Sequence, residues 1–181
     1  MIFQDSSKMV GTTEFKLFDK LGNPKKMFKN NFLWKIFKKF NLDLQIPLIT
    51  GYWTISPIKR NTVTALGKQV TAKQLNGVST TAATALAIGT GTPTTTALGA
   101  ETTTNGGARG AATCTNTTTT TTGDTAQWVK TWSFTGSLAL TEEGIFDNVT
   151  SGGNLIASQS FSVINVVNTD TLQVTHQVKF A

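Results

Sequence analysis

Over most of the second two thirds of the chain, apolar and polar residues alternate in short stretches, and a period of two predicts strands. In residues 172–180, Leu172, Val174, Val178 and Phe180 fall on one side, and Gln173, Thr175, Gln177 and Lys179 on the other. Successive side chains leave opposite faces of a sheet, so half-buried antiparallel strands read this way. Ala126, Trp128, Trp132 and Phe134 likewise oppose Gln127, Thr131 and Ser133. A Thr-rich stretch, residues 108–122, and the turn signal Gly123-Asp124 come just before, so the two together predict a β-hairpin. Residues 138–146 and 154–166 predict two further strands, with breaks at Ser151-Gly152-Gly153 and Asn168-Thr169-Asp170. Residues 85–88 predict a buried strand that runs into a loop over 89–93.

The first 60 residues follow other periods. A short alternation at 15–18 ends in the turn cluster Asp19-Lys20-Leu21-Gly22-Asn23-Pro24. Phe28, Phe32, Leu33, Ile36, Phe37 and Phe40 then recur at helical spacing, with Lys29, Lys35, Lys38 and Lys39 in the same segment, which predicts a short basic amphipathic helix. From 45 to 59, Pro47, Gly51 and Pro57 interrupt a sticky run that includes Tyr52 and Trp53; this predicts an extended connector that needs a neighbour to cover it. Residues 61–76 predict a second short helix, with Leu66 and Val70 four apart and Gly77 as its stop.

The expected fold is therefore mainly β: an antiparallel β-sandwich or jelly-roll-like domain over residues 61–181, preceded by an anchoring arm over residues 1–60. Charge follows the same division. Residues 1–60 carry 11 Lys/Arg against 4 acids, a surplus of seven, and the remainder carries 5 against 6, a deficit of one. Thr dominates the polar positions of the second part, including the run 117–122, and a β-branched residue suits a pleated surface. Cys114 is the sole cysteine, which excludes an intrachain disulfide and a Cys-based zinc site; a small buried or half-buried position is expected for it. The start shows no secretory pattern, and no stretch approaches the roughly 18 apolar residues of a membrane span. A soluble product of a cytoplasm is the expectation.

Candidate chemistry is sparse. Glu142 and Glu143 are the only adjacent carboxylates, but neighbours on a strand point to opposite faces, so a turn or strand-end role is expected in place of paired acid and base. His176, the sole histidine, lies on the apolar side of the last strand; a hydrogen-bonded core or interface position is expected there, and a dyad with Cys114 is the catalytic alternative. Gly89-Thr90-Gly91-Thr92 lacks a following Gly-Lys-Ser/Thr and meets Pro93, so a turn is expected and not a phosphate cradle. Asn116-Thr117-Thr118 and Asn148-Val149-Thr150 fit the glycosylation acceptor pattern, which carries little weight without secretion. Trp128 and Trp132 flank Lys130 and suggest either a glycan platform or a core with Lys130 at its rim. No catalytic, metal or cofactor residues are expected.

From residue 61 onward, ordered short motifs carry a resemblance. They are Ala87-Ile88-Gly89-Thr90-Gly91-Thr92-Pro93, Ala97-Leu98-Gly99-Ala100-Glu101, Gly107-Ala108-Arg109-Gly110, Leu140-Thr141-Glu142-Glu143-Gly144-Ile145-Phe146-Asp147, Ser151-Gly152-Gly153-Asn154-Leu155-Ile156-Ala157 and Asp170-Thr171-Leu172-Gln173-Val174-Thr175. With the lead-in Phe15-Lys16-Leu17-Phe18-Asp19-Lys20 and Gly22-Asn23-Pro24, their order resembles virion structural proteins of tailed bacteriophages. The resemblance implies a non-enzymatic particle protein, located in the virion after synthesis in the host cytoplasm. Capsid decoration or cementing is the first expectation, as a homo-oligomer with a trimer favoured, bound to the major capsid protein or another virion protein. A tail, fibre or head–tail adaptor component and a host-surface glycan-binding module are the alternatives. The partner-binding residues expected are Phe28, Phe32, Leu33, Ile36, Phe37, Phe40, Lys35, Lys38, Lys39, Tyr52 and Trp53; nucleic acid and membrane are the lesser readings of the basic helix.

Overall fold

A computed structural model describes residues 9–25, 54–55, 62–78 and 81–180. Among the described residues, ten strands and one helix follow one another as β1 (Met9–Phe18), β2 (Thr54–Ile55), β3 (Thr62–Val63), α1 (Ala65–Leu75), β4 (Ala85–Gly89), β5 (Gly110–Ala111), β6 (Thr113–Thr117), β7 (Thr125–Ser133), β8 (Leu138–Phe146), β9 (Leu155–Val166) and β10 (Thr171–Phe180). The first sheet runs β2-β1-β10-β7-β6 and the second β3-β9-β8-β4-β5, with every pairing antiparallel. The chain is thus mainly β, as its alternation predicts. The hairpin expected around Gly123-Asp124 is the β6–β7 pair.

One core joins the two sheets. Phe15 and Leu17 of β1 and Leu172, Val174 and Val178 of β10 meet Leu86 and Ile88 of β4, Leu140 and Ile145 of β8, and Ile164 of β9. In register, Phe15 lies opposite Val174 and Leu17 opposite Leu172, so the apolar sides of β1 and β10 coincide. Full burial of side chains of this size contributes roughly 1.5–3 kcal/mol each.

This arrangement corrects the boundary expected at residue 60. The alternation noticed at 15–18 is the end of a ten-residue strand that starts at Met9, lies inside the first sheet and pairs with β10 along its whole length. Residues 9–25 therefore belong with the β fold. A lysine-rich neighbourhood masks this in a count of charges, because Lys16 and Glu14 occupy the half-exposed side of β1 and say nothing about its other side. The predicted helix stripe and most of the connector lie outside the described residues.

The second predicted helix is α1. Thr64 caps it, its hydroxyl accepting from Gly67 N–H at 2.8 Å. The helix ends at Asn76 and Gly77, the glycine at φ +74°. Gly67 is required by contact: a Cβ there would strike the carbonyl oxygen of Ile156 in β9, the strand on which the helix lies. Among the described residues, no helix is long and apolar enough to cross a membrane.

The outer face of the second sheet is also covered. Leu98, from the long loop between β4 and β5, packs on Ala85, Ala87, Phe146 and Leu155. Consequently β4 is buried at all five positions.

Candidate functional site

Two carboxylates on β8 organise this region. Glu142 and Glu143 are both fully buried. The expectation of a turn or strand end for them is overturned: they lie in the middle of β8, although they do point to opposite faces as expected.

Glu142 points outward into the β4–β5 loop. Its Oε1 accepts Ala100 N–H at 2.7 Å and Gly91 N–H at 3.1 Å, and its Oε2 accepts Gly99 N–H at 2.8 Å. One side chain thereby satisfies backbone donors at the start and in the middle of the loop, groups that would otherwise be costly to bury. The Gly-Thr-Gly-Thr stretch is part of this cradle, and the anion it holds is the chain's own carboxylate. Gly91 and Gly99 are needed here, because a Cβ on either would meet the facing backbone of the loop.

Glu143 points inward and reaches across the core. Its oxygens lie 2.9 and 3.0 Å from Nδ1 of His176 on β10, and Thr13 of β1 donates its hydroxyl to Oε1 at 3.1 Å. His176 is 0% exposed, and Trp128 stands edge-on to it at 6.3 Å. The core position expected for His176 is what the structure shows. In a catalytic relay, carboxylate and nucleophile engage different ring nitrogens. Here the Thr13 hydroxyl, 3.4 Å away, and the Glu143 carboxylate face the same Nδ1. The geometry suits a brace between the sheets.

The dyad with Cys114 is not formed. Cys114 pairs in register with Trp128, and Trp128 with His176, so a full strand separates thiol and imidazole. The expectation of burial for Cys114 also fails: it is exposed on the edge strand β6, with β7 on one side only. Partial desolvation raises its thiol pKa, which disfavours the thiolate.

A third node is Arg109, whose side chain is 4% exposed. It grips Glu101 with two donors, Nε at 2.8 Å and Nη2 at 2.5 Å, while Nη1 donates to the carbonyls of Gly152 at 2.7 Å and Asn148 at 3.3 Å. Its guanidinium lies 3.5 Å from the centre of the Phe146 ring. Asp147 closes the same turn by accepting from the backbone N–H and side-chain amide of Asn154, at 2.6 and 2.7 Å. At the other end of the molecule, Asp170 accepts from Val167 N–H at 2.9 Å and pairs with Lys25 at 2.5 Å.

Trp128 and Trp132 are tied to the chain. Trp128 donates Nε1–H to Ala83 O at 2.7 Å and Trp132 to Ala108 O at 2.9 Å, and Trp132 is 3% exposed. Lys130 sits between them with Nζ 5.1 Å from the Trp132 ring, and desolvation lowers its pKa. Gly110 leaves the space its ammonium needs. The Thr-rich tip wraps Asp124, whose carboxylate accepts from the backbone N–H groups of Thr119, Thr120 and Thr121 at 2.8–2.9 Å. With Thr121 contributing most, those donors hold its carboxyl well below the usual carboxylate range.

The residues expected to bind a partner, Phe28, Phe32, Leu33, Lys35, Ile36, Phe37, Lys38, Lys39, Phe40, Tyr52 and Trp53, all lie outside the described residues. Among the described residues, no group of three or more His, Cys, Asp or Glu is placed to hold a metal ion. No protein-family model, curated protein or solved structure matches this chain.

Sequence reasoning missed Arg109 as a three-way tie and Thr13 as a partner of Glu143. Arg109 did carry a signal, as the one cation between residues 74 and 129 in a stretch rich in Gly and Thr.

Proposed function

We propose that this chain is a non-enzymatic structural protein of a tailed-bacteriophage particle, a decoration or cement protein held on the major capsid protein through its basic, aromatic N-terminal residues. One observation supports the reading best: the ionisable residues of the motifs that carry the phage resemblance are spent on holding the fold. Glu142, Glu101, Arg109 and Asp147 come from three separate motifs and tie the loops over one face of the second sheet. Asp170 and the Phe15-to-Pro24 lead-in meet through the β1–β10 pairing and the Lys25 ion pair. A motif set consumed in bracing fits a building block whose work is to keep its shape. On this reading the two sheets are a jelly-roll-like sandwich, displayed as a homo-oligomer with a trimer favoured. Many weak contacts between such copies and the shell would add by multivalency.

Quantitative mass spectrometry of purified particles tests it. Copies in proportion to capsid subunits are expected; a few copies per particle would move the protein to the tail or vertex, and absence from the particle would refute the proposal. Rebinding of recombinant protein to stripped particles tests the attachment. Binding that survives about 1 M salt, where the Debye length is about 3 Å, but is lost in Phe32→Ala/Phe37→Ala is the expected result. Release by salt alone, with the Phe variants binding normally, would overturn apolar docking.

A further inference from the structure

A cleft of about 490 Å³ lies against the outer face of the second sheet, between β3, β9 and the loop that Glu142 holds. Small-molecule sites occupy roughly 300–1,000 Å³. Ser158 and Ser160 of β9 form the floor, Thr62 of β3 the edge, and Thr92, Pro93 and Thr95 the far wall. Ser158 lies opposite Gly144 and Ser160 opposite Glu142 in the β8–β9 ladder, so both serines share the face on which Glu142 meets the loop.

The wall is fixed from within. Glu142 takes the backbone donors of Gly91, Gly99 and Ala100, and the Thr94 hydroxyl donates to Ala97 O while accepting from Thr96 and Ala97 N–H. The hydroxyls of Thr92 and Thr95 take no part in these bonds. Ser158 is 4% exposed, and among the described residues its hydroxyl has no hydrogen-bond partner, although it lines the cleft. The hydroxyl itself is open to the cleft, so a ligand that enters must replace the water bonded there.

The lining also restricts what can bind. Among the described residues no charged side chain contributes to it, so an ionic ligand finds no counter-charge among them. A wholly apolar ligand would strip the Ser158 hydroxyl of water without replacing the bond. Hydroxyls that both donate and accept, set among Thr methyls and the Pro93 ring, complement a molecule with many hydroxyls and apolar C–H faces. We propose that this cleft binds a neutral saccharide of one or two units, with Ser158, Ser160, Thr92 and Thr95 contacting its hydroxyls. The assignment is independent of the particle role, since a cement protein need not bind sugar and a sugar-binding protein need not join a capsid.

The full chain, labelled with 15N, would be titrated to millimolar concentrations with the methyl glycosides of glucose, galactose, mannose and N-acetylglucosamine, and with maltose. At least one sugar should give saturable shifts at the amides of Thr92, Thr95, Ser158 and Ser160. Ser158→Ala and Thr95→Ala should each weaken binding about fivefold, one net hydrogen bond's worth. Thr95 is exposed, so its variant remains informative if Ser158→Ala fails to fold. Absence of saturable shifts with all five sugars, shifts confined to another region, or unchanged affinity in the folded variants would overturn the proposal.

Discussion

Glu142→Gln is the sharpest perturbation of this fold, because it keeps the shape of the side chain and removes half of its accepting capacity. The carboxylate takes three backbone N–H groups, two on Oε1 and one on Oε2. A glutamine can keep its oxygen towards Gly91 and Ala100, but its NH2 group then opposes the N–H of Gly99, donor against donor. Hydrogen bonds to a charged group are worth about 1.5–3 kcal/mol, and a neutral amide accepts more weakly. Loss of one bond, weakening of two and a buried donor left unmet together destabilise by about 2–4 kcal/mol. Glu142→Ala, which orphans all three donors, should exceed that. In urea, with m near 2 kcal/mol/M, the glutamine variant's midpoint should fall by about 1–2 M at unchanged m. Native-state hydrogen exchange should show the amides of Gly99 and Ala100 losing protection before those of β10, because the loop is released ahead of the sheet. A glutamine variant within about 0.5 kcal/mol of the parent, with the Gly99 amide still protected, would refute the clamp.

Phe15→Ala should destabilise by about 3–5 kcal/mol, since Phe15 is 1% exposed and its ring centre lies 4.3 Å from that of Phe161; a chemical-denaturation change under about 1 kcal/mol would return β1 to a detachable arm. Gly67→Ala should lower the thermal midpoint and reduce far-UV helix signal, because a Cβ there meets the Ile156 backbone; an unchanged midpoint would show that α1 can shift off β9. Asp124 has a depressed carboxyl, so its contribution to the hairpin tip is complete above the ordinary Asp range near pH 3.9 and lost only as pH falls through the lower folded value. Amides of Thr119, Thr120 and Thr121 should therefore hold their protection from neutrality down to about that pH, and Asp124→Ala should abolish it at every pH.

The strands were legible where one face is buried and the other wet, because that environment imposes a period of two. Residues 138–146 coincide with β8, and the breaks at Ser151-Gly152-Gly153 and Asn168-Thr169-Asp170 coincide with turns. His176 was legible as a core residue for the same reason. The partnership of Glu142 with Gly91 and Gly99 was not, since it joins residues more than forty positions apart through backbone groups that leave no side-chain signature. Nor was the membership of β1 in the sheet. Its partner β10 lies at the far end of the chain, and local pattern cannot report which strand another will pair with. The cleft was invisible because Ser and Thr on a Thr-rich chain look like ordinary solvated strand.

Alternation sends the two adjacent carboxylates to opposite faces of the sheet, and an irregularity in the β8–β9 ladder decides which of them faces the core. Leu140 pairs with Ile164, but Glu142 pairs with Ser160, so three residues of β9 span one of β8. The extra length shifts the phase of β8. Leu140 faces the shared core, and beyond the irregularity Glu143 and Ile145 face it, while Glu142 and Phe146 turn to the loop side. Without the shift, an unbroken alternation from Leu140 would aim Glu142 into the core and Glu143 at the loop. His176 would then meet Glu142 out of register, and the donors of Gly91, Gly99 and Ala100 would face a carboxylate displaced by one residue along the strand. Buried polar braces of this kind add little net stability over a well-packed apolar core, because desolvation opposes them. They penalise the wrong pairing severely, since each misplaced carboxylate would be buried unpaired. The braces on β8 therefore act chiefly on register, fixing which residues of β8 and β9 meet and, through Glu142, where the wall of the Ser158 cleft stands.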